Sequence, residues 1–399
     1  MRRQVAIGIA ATIGAIAAIA TPSFSAPSNL NRAADFVQPM RVVQVDLDYV
    51  YDPDPAQQAH NLDKLVARID GMKINAVFLQ AFADPKGTGL ASELYFPNRY
   101  LPVRADLFAE AATRLRDDAH VKVFGWLPVL SFDFGDKLPA VLAWNPDNGQ
   151  VEQNPKAYHR LSPFDAEARA DILGVYADMA KAAPIDGLLF HDDALLSDYE
   201  DASPAALEAY KAAGLPASIR EIRADAADMK RWTEFKTSVL IEFTQELADK
   251  AREYRSPLLT ARNIYAPVAL EPKSEEWFAQ DYSRFLDTYN YTAVMAMPQM
   301  ENIADADADD WMKKLVVAAS EHKNGLKRTI FELQAVDWRK QSMGQDRAIP
   351  TETLVSEMRF LTEQGAVNLG YYPDDFATNT PDADTLRKDF SLQTISYPL

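Results

Sequence analysis

The sequence contains no cysteine, carries a deficit of basic residues and has no late apolar run of membrane-spanning length. The lack of cysteine excludes disulfide bonds, cysteine metal sites and lipid attachment through a cysteine. Lysine and arginine number 41 against 58 aspartate and glutamate residues, which gives a formal net charge of −17. Such a charge repels nucleic acid and anionic lipid surfaces, so we expect neither as a partner. Beyond the N-terminus, no segment approaches the ~20 apolar residues that a membrane helix needs.

The N-terminus has the pattern of a secretory signal peptide. A basic start at Arg2 and Arg3 precedes an apolar segment from Val5 to Ile19, and small residues around Ser25 suit cleavage. An uncleaved N-terminal anchor is the alternative. The pattern predicts a periplasmic or secreted protein in three parts: a signal peptide over 1–26, a polar leader over 27–39 and one domain over 40–399.

From Arg41 onward, short apolar segments alternate with segments of helical spacing. Helical spacing is clearest at Leu62, Leu65, Val66 and Ile69, which lie at i, i+3, i+4 and i+7. The helical pattern between residues 205 and 255 is longer than the one helix needed to connect two parallel strands, so we predict an inserted helix there. The apolar patterns predict eight strands, over 41–47, 75–82, 121–130, 188–190, 257–265, 292–297, 328–335 and 365–372.

Eight strands that alternate with helices, without a Gly/Ser linker, predict one α/β domain: a (β/α)8 TIM-type barrel with long βα loops. An open doubly wound sheet is the alternative. That fold would place a glycine-rich phosphate loop after the first strand, whereas Asp46, Asp48 and Asp52 follow it here.

The most informative stretch is the acidic end of the fourth strand. Residues 188–190 are apolar, and His191, Asp192 and Asp193 follow directly, with Asp198 in the next loop. Side chains alternate along a strand, so Asp192 and Asp193 are expected to point in different directions. A solvated acidic loop is the alternative. We predict that Asp192, Asp193 and Asp198 are catalytic, and that their mutual repulsion keeps one of them protonated near neutral pH.

The other strand ends would converge on the same mouth of a barrel. They carry acids, amides and aromatic rings, which suit a polysaccharide groove because rings stack on sugars while acids and amides bind hydroxyls and amines. For the aromatic residues, core packing is the alternative. The predicted substrate-binding residues are Asp46, Asp48, Gln80, Trp126, Asn263, Glu332, Trp338, Tyr371, Tyr372 and Asp374.

Metal-dependent deacetylation is the competing chemistry. The segment from Phe190 to Asp193 looks somewhat like the acidic metal motif of polysaccharide deacetylases, but those enzymes also need two histidines one helical turn apart. The five histidines here contain no such pair. We therefore predict no metal and no other cofactor.

Six segments carry a family resemblance: Val45–Pro55, Val77–Asp84, Tyr95–Arg99, Phe190–Ala194, Leu196–Asp201 and Gly370–Phe376. They closely resemble the C-terminal glycoside hydrolase domain of the bacterial poly-β-1,6-N-acetylglucosamine deacetylases of biofilm polysaccharide export. The resemblance runs from about Pro39 to Leu399.

The resemblance implies a periplasmic (β/α)8 hydrolase, endo-acting on partially deacetylated poly-β-1,6-N-acetylglucosamine, with the acids near Asp192 in catalysis. Family members usually carry a deacetylase domain ahead of this one, whereas here the barrel follows the signal peptide within a few residues. We therefore expect a separate deacetylase to supply the polymer and an outer-membrane export pore as a further partner. The alternative is a non-catalytic protein that binds the polymer and guides its export.

Overall fold

The structure is a computed structural model that describes residues 39–135, 137–154, 159–343 and 347–394. These residues fall in one compact unit, Ala33–Leu399. The predicted signal peptide, and the predicted leader up to residue 38, lie outside the described residues. No helix in the described ranges is both long and apolar enough to cross a membrane.

Eight parallel strands close into a barrel, which confirms the predicted (β/α)8 fold. Each strand pairs with its neighbours in sequence, and the first strand pairs with the last. The strands are β1 (Arg41–Val45), β2 (Ala76–Gln80), β3 (Lys122–Leu127), β4 (Gly187–Phe190), β5 (Leu259–Ile264), β6 (Tyr291–Met295), β7 (Thr329–Gln334) and β8 (Asn368–Tyr372).

Helices surround the barrel, and the longest follows the predicted insertion. The helices are α1 (Pro55–Met72), α2 (Phe108–Asp117), α3 (Ala166–Ala182), α4 (Pro204–Ala212), α5 (Ile219–Ala224), α6 (Ala226–Arg252), α7 (Ala266–Leu270), α8 (Glu275–Phe278), α9 (Tyr282–Thr288), α10 (Ala308–Ser320), α11 (Gly325–Arg328), α12 (Thr351–Glu363) and α13 (Ala383–Phe390). Helices α4 and α5 form the insertion, because α3 and α6 pack side by side outside β4.

Local sequence explains where α1 begins and what it buries. The Asp54 side chain accepts a hydrogen bond from the Ala56 N–H, and Pro55 occupies the first turn, where a missing N–H costs nothing. Leu65 and Ile69 on the predicted apolar face are buried against the barrel. The helix ends at Lys73 in a left-handed conformation.

Between β5 and β6 the chain forms three short helices, α7 to α9, in place of one continuous helix. Pro272 lies between α7 and α8, where it separates the two helices. Ala279 adopts φ +48° directly after α8 and ends that helix. This segment begins directly after β5, so its first part lies at the carboxyl ends of the barrel strands. Breaking the helix allows Tyr265 and Phe278 to stack, with ring centroids 4.7 Å apart.

A second apolar cluster lies under the insertion, separate from the main barrel core. Trp232 of α6, Tyr210 of α4 and Ile222 of α5 are buried together, and Phe164 packs against them. The connection between β3 and α3 contributes a two-residue strand pair, Ala143–Trp144 with Val151–Glu152. The Trp144 N–H bonds the Tyr199 carbonyl, so this hairpin is tied to the loop after β4.

Candidate active site

The carboxyl ends of the eight strands form one mouth, and His191 and Asp192 lie where β4 ends. Asp192 is buried, with one carboxylate oxygen 3.0 Å from His191 Nδ1 and the other accepting a 2.9 Å hydrogen bond from the Tyr265 hydroxyl. Tyr265 follows β5, so neighbouring strands hold the Asp192 carboxylate from two sides.

The charges of His191 and Asp192 stabilise each other. Burial alone would lower the pKa of His191, but the carboxylates of Asp192, Asp193 and Glu332 outweigh it and raise that pKa to about 9. Burial alone would raise the pKa of Asp192, but the His191 charge and the hydrogen bonds bring it below its usual range. Asp192 is therefore ionised at neutral pH beside a cationic His191.

Glu332 has the opposite electrostatic environment. It belongs to β7, is buried, and accepts a 2.8 Å hydrogen bond from Asn263 Nδ2 of β5. Burial raises the pKa of Glu332 to about 7, against the opposing effects of Asn263 and His191, and Asp192 adds to the rise. The mouth thus holds two electrostatically coupled carboxyl groups, one ionised and one that keeps its proton up to neutral pH. Such divergence is typical of an acid paired with a stabilising carboxylate.

Aromatic rings line the mouth beside these carboxyls. The Trp126 ring lies 5.3 Å from His191 and meets Tyr372 edge-on at 5.6 Å, and Trp338 stacks on Tyr372 at 6.1 Å. The Tyr372 hydroxyl lies 3.3 and 3.4 Å from the two Asp46 oxygens. Trp126 is buried, whereas Trp338 and Tyr372 are half-buried, so Trp338 and Tyr372 offer ring surface to a ligand.

Among the residues that the structure describes, the Asp46 carboxyl has a neutral hydrogen-bond partner, the Tyr372 hydroxyl. Burial raises the pKa of Asp46 to about 7 and Asp48 adds to the rise, while the Tyr372 hydroxyl and His191 oppose it. Asp48 is exposed and accepts hydrogen bonds from the Tyr95 hydroxyl at 2.6 Å and from Gln80 Nε2 at 3.2 Å. Asp46, Asp48 and Gln80 therefore form an acidic and amide rim at the ends of β1 and β2.

Asp193 and Asp198 have their own partners. The Asp193 carboxylate accepts hydrogen bonds from the backbone N–H groups of Val129, Leu130 and Ser131, at 2.7 to 2.9 Å. Asp198 is half-buried and pairs with Arg223 of α5 at 2.5 Å. The prediction that repulsion keeps one of these three acids protonated does not fit Asp192, whose pKa is lowered, and Asp193 and Asp198 each accept hydrogen bonds from donors of their own.

Tyr371 and Asp374 lie away from the mouth, so the prediction that they bind substrate is corrected. Both are inaccessible to solvent, and the Tyr371 hydroxyl donates a 2.6 Å hydrogen bond to Asp374. Arg68 of α1 donates to both Asp374 oxygens, at 2.7 to 3.1 Å. Tyr371 and Tyr372 alternate across β8, so Tyr371 turns outward to the helices, against Phe390 of α13, and Tyr372 turns inward.

The sequence reasoning missed Tyr265 and underrated His191. Tyr265 follows the predicted fifth strand directly, so its position at a strand end was a usable signal. His191, which directly precedes the acids in the sequence, is the cation whose charge acts on both Asp192 and Glu332. In the described part of the chain, no group of three or more histidine, aspartate or glutamate side chains is arranged to hold a metal ion.

A closed (β/α)8 barrel with paired carboxyls and aromatic rings at its mouth is typical of glycoside hydrolases. Residues 44–372 match the family described as hypothetical glycosyl hydrolase family 13, GHL13. The chain belongs to this family.

Two relatives place the chain more closely, and they confirm the resemblance found in the sequence. It is 47% identical to the PgaB (BpsB) glycoside hydrolase domain from Bordetella bronchiseptica, with TM-score 0.81 over 88% of this chain and 99% of that one. It is 45% identical over 361 residues to the poly-beta-1,6-N-acetyl-D-glucosamine N-deacetylase of Escherichia coli (strain K12), over 90% of this chain and 53% of that protein. The chain thus spans about half the length of this curated relative.

More distant structures share the fold alone. Alpha-L-fucosidase isoenzyme 2 from Paenibacillus thiaminolyticus is 11% identical with TM-score 0.57, over 88% of this chain and 49% of that one. The beta-galactosidase from the psychrophilic Marinomonas ef1 is 12% identical with TM-score 0.54, over 83% of this chain and 53% of that one.

Proposed function

We propose that the protein is an endo-acting glycoside hydrolase that cleaves partially deacetylated poly-β-1,6-N-acetyl-D-glucosamine. The observation that carries the proposal is the pair of coupled carboxyls, Asp192 and Glu332, whose pKa values are shifted in opposite directions. Glycoside hydrolysis needs one protonated carboxyl and one group that stabilises the positive charge developing at the anomeric carbon.

In the proposed reaction, Glu332 is the general acid. Its proton passes to the glycosidic oxygen as the bond from that oxygen to the anomeric carbon breaks, and Asn263 holds the carboxylate that remains. Asp192 stays ionised and orients the 2-acetamido group of a bound N-acetylglucosamine, whose carbonyl oxygen attacks the anomeric carbon. His191 and Tyr265 fix the Asp192 carboxylate for this role.

Asp193 and Asp198, which the sequence placed with Asp192 in catalysis, take supporting roles in this proposal. Asp193 fixes the backbone after β3 and so positions Trp126, which lies near the end of that strand. Asp198 stays in the loop after β4, where Arg223 directs its carboxylate and lies 3.8 Å above the Tyr199 ring. Both residues therefore shape the groove.

Preference for deacetylated sugar is proposed to come from the acidic rim. Deacetylation exposes an amine that is largely cationic at neutral pH. Asp46 is a half-buried carboxyl whose hydrogen-bond partner in the described part of the chain is the neutral Tyr372 hydroxyl. An ammonium group bound there would ionise Asp46 and gain from the adjacent ring of Tyr372. Asp48, Gln80 and Trp338 would contact neighbouring hydroxyls and sugar faces.

The proposed setting is the periplasm or the exterior, in the metabolism of a biofilm exopolysaccharide. The similarity to a named N-deacetylase and to a PgaB glycoside hydrolase domain supports this setting. A separate deacetylase would supply the polymer, and an outer-membrane pore would export it. No metal or other cofactor enters the proposed reaction.

The function is tested by measuring reducing ends and chain length after incubation with partially deacetylated and fully acetylated polymer. We expect new reducing ends and a rapid fall in chain length with the partially deacetylated polymer, as for an endo-acting enzyme. Tight binding with no new reducing ends in the wild-type protein would overturn the proposal and favour a protein that guides the polymer to export.

A further inference from the structure

Cationic side chains donate hydrogen bonds to the backbone of the loop after β4. This loop, residues 194–200, is named the rim loop here because it follows the catalytic Asp192 at the mouth. Four cations donate hydrogen bonds to five of its backbone carbonyls: Arg262 to Ala194, Arg160 to Leu195, Lys236 to Ser197 and Glu200, and Arg223 to Asp198.

Lys236 is the cation among these four that can lose its charge near neutral pH, because arginine stays protonated. Its side chain is 0% exposed, and its Nζ lies 2.5 Å from the Ser197 carbonyl and 2.9 Å from the Glu200 carbonyl. The same Nζ sits 3.6 Å from the centre of the Trp232 ring. Lys236 therefore joins the rim loop to the apolar cluster of the helical insertion.

We propose that Lys236 is the positioning residue of the rim loop, and that its ammonium group keeps Asp198 and Tyr199 in place along the groove. Asp198 and Tyr199 are the two residues between Ser197 and Glu200, whose carbonyls Lys236 binds. Tyr199 stacks on Trp144, and Asp198 pairs with Arg223, so one wall of the mouth depends on the path of this backbone. That this wall contacts the polymer rests on the proposed function.

The charges around Lys236 make its hold on the loop dependent on pH. Glu200 and Asp198 of the rim loop and the adjacent Asp201 favour its charge, and Arg223 of α5 opposes it. Burial outweighs the three carboxylates and lowers the pKa of Lys236 to about 7. As pH rises through neutrality the ammonium loses its proton, and the two carbonyls lose a charged donor. The rim loop is therefore ordered below neutral pH and loosens above it.

The test is hydrogen–deuterium exchange of the peptide that covers the rim loop, in the free protein, at about pH 6 and about pH 8.5 after correction for the intrinsic rate. We expect Lys236→Met to speed exchange of this loop at least about tenfold at the lower pH, as loss of a charge-assisted hydrogen bond predicts. The wild-type loop should approach the same rate at the higher pH. Lys230→Met, an exposed lysine on the same helix, is the matched control and should match the wild type.

Exchange elsewhere in the barrel shows whether Lys236→Met is folded, and the wild-type pH series tests the proposal without any substitution. In cleavage assays, Lys236→Met should raise KM more than it lowers kcat, with a KM that changes less with pH than that of the wild type. Equal protection of the rim loop at both pH values in the wild type would overturn the proposal. So would a folded Lys236→Met variant whose loop is as protected as the wild type. Neither result depends on whether the protein cleaves the polymer.

Discussion

At the scale of single residues, two adjacent acids at the mouth have different environments: Asp192 is proposed to act on the ligand, whereas Asp193 holds the backbone. Asp192 and Asp193 are adjacent in sequence, yet Asp192 meets His191 and Tyr265 while Asp193 accepts three backbone N–H groups. The sequence predicted that these two side chains would point in different directions, because successive side chains along a strand leave opposite faces of the sheet. The sequence alone could not predict whether Asp192 or Asp193 points toward the mouth, because that depends on the register of β4.

Replacing Asp193 is expected to affect stability before chemistry. Asparagine has one acceptor oxygen in place of two, so Asp193→Asn leaves at least one backbone N–H around Val129 to Ser131 without its partner. Hydrogen bonds to charged groups contribute about 1.5–3 kcal/mol each. Thermal unfolding should show a clear fall in Tm, while Asp192→Asn should lose cleavage with a much smaller change in Tm. Equal Tm values for Asp193→Asn and the wild type would contradict the structural role.

The ionisation of Asp46 should make the affinity for deacetylated polymer depend on pH. Its free-protein pKa is about 7, and an ammonium ion binds the ionised form, so affinity for deacetylated polymer should fall as pH falls below neutrality. The dissociation constant should rise as pH falls below about 7, with a slope that approaches tenfold per pH unit below about pH 6, which is the limit for one coupled proton. Isothermal titration calorimetry of Asp46→Asn should show weaker binding with little slope. A wild-type slope that survives in Asp46→Asn would assign the proton to another group.

At the scale of elements, the buried group formed by Arg68, Tyr371 and Asp374 joins α1 to the end of β8. Arg68 is 7% and Asp374 0% exposed, so removing either charge leaves the other buried without its partner. Arg68→Ala should lower the free energy of unfolding by about 3–5 kcal/mol, measured by denaturant titration. The kcat of the folded fraction should change little, because this group lies behind the mouth.

The matched control is Arg359→Ala, which removes the ion pair between Arg359 of α12 and Asp389 of α13. Arg359 is 57% exposed, and exposed pairs contribute about 0–1 kcal/mol. Similar losses of stability for Arg68→Ala and Arg359→Ala would contradict the importance of burial at Asp374.

The elements themselves were largely predictable from the sequence. Buried parallel strands are continuous apolar runs, so β2 and β6 were found within one or two residues of their bounds, and the apolar face of α1 was found from its spacing. The division of the segment between β5 and β6 into α7, α8 and α9 was not predicted, because the tertiary contacts of Phe278 and the left-handed conformation of Ala279 decide where the chain turns. Tyr371 was misplaced because alternation says that one of two tyrosines faces inward but not which.

At the scale of the whole molecule, the acidic charge should make polymer binding sensitive to salt. The net charge of −17 and the exposed Asp48 favour a cationic polymer through solvent-exposed, screened interactions. Because the Debye length falls from about 10 Å at 0.1 M salt to about 3 Å at 1 M, binding of partially deacetylated polymer should weaken steeply over that range. Affinity measured with fully acetylated polymer is the control and should be lower and nearly constant. Equal, salt-independent affinities for both polymers would contradict this account.

The central claim is that Glu332 donates the proton while Asp192 orients the 2-acetamido group that attacks the anomeric carbon, and leaving-group dependence tests it most directly. The measurement is kcat/KM for Glu332→Gln and Asp192→Asn on the polymer and on an aryl glycoside of the oligosaccharide. The sugar that carries the aryl group is N-acetylglucosamine, and the aryl leaving group needs no protonation. Glu332→Gln is predicted to lose about 10²–10⁴ on the polymer and far less on the aryl substrate, while Asp192→Asn loses activity on both. Polymer cleavage by folded Glu332→Gln at the wild-type rate, or equal losses on the two substrates, would contradict the claim.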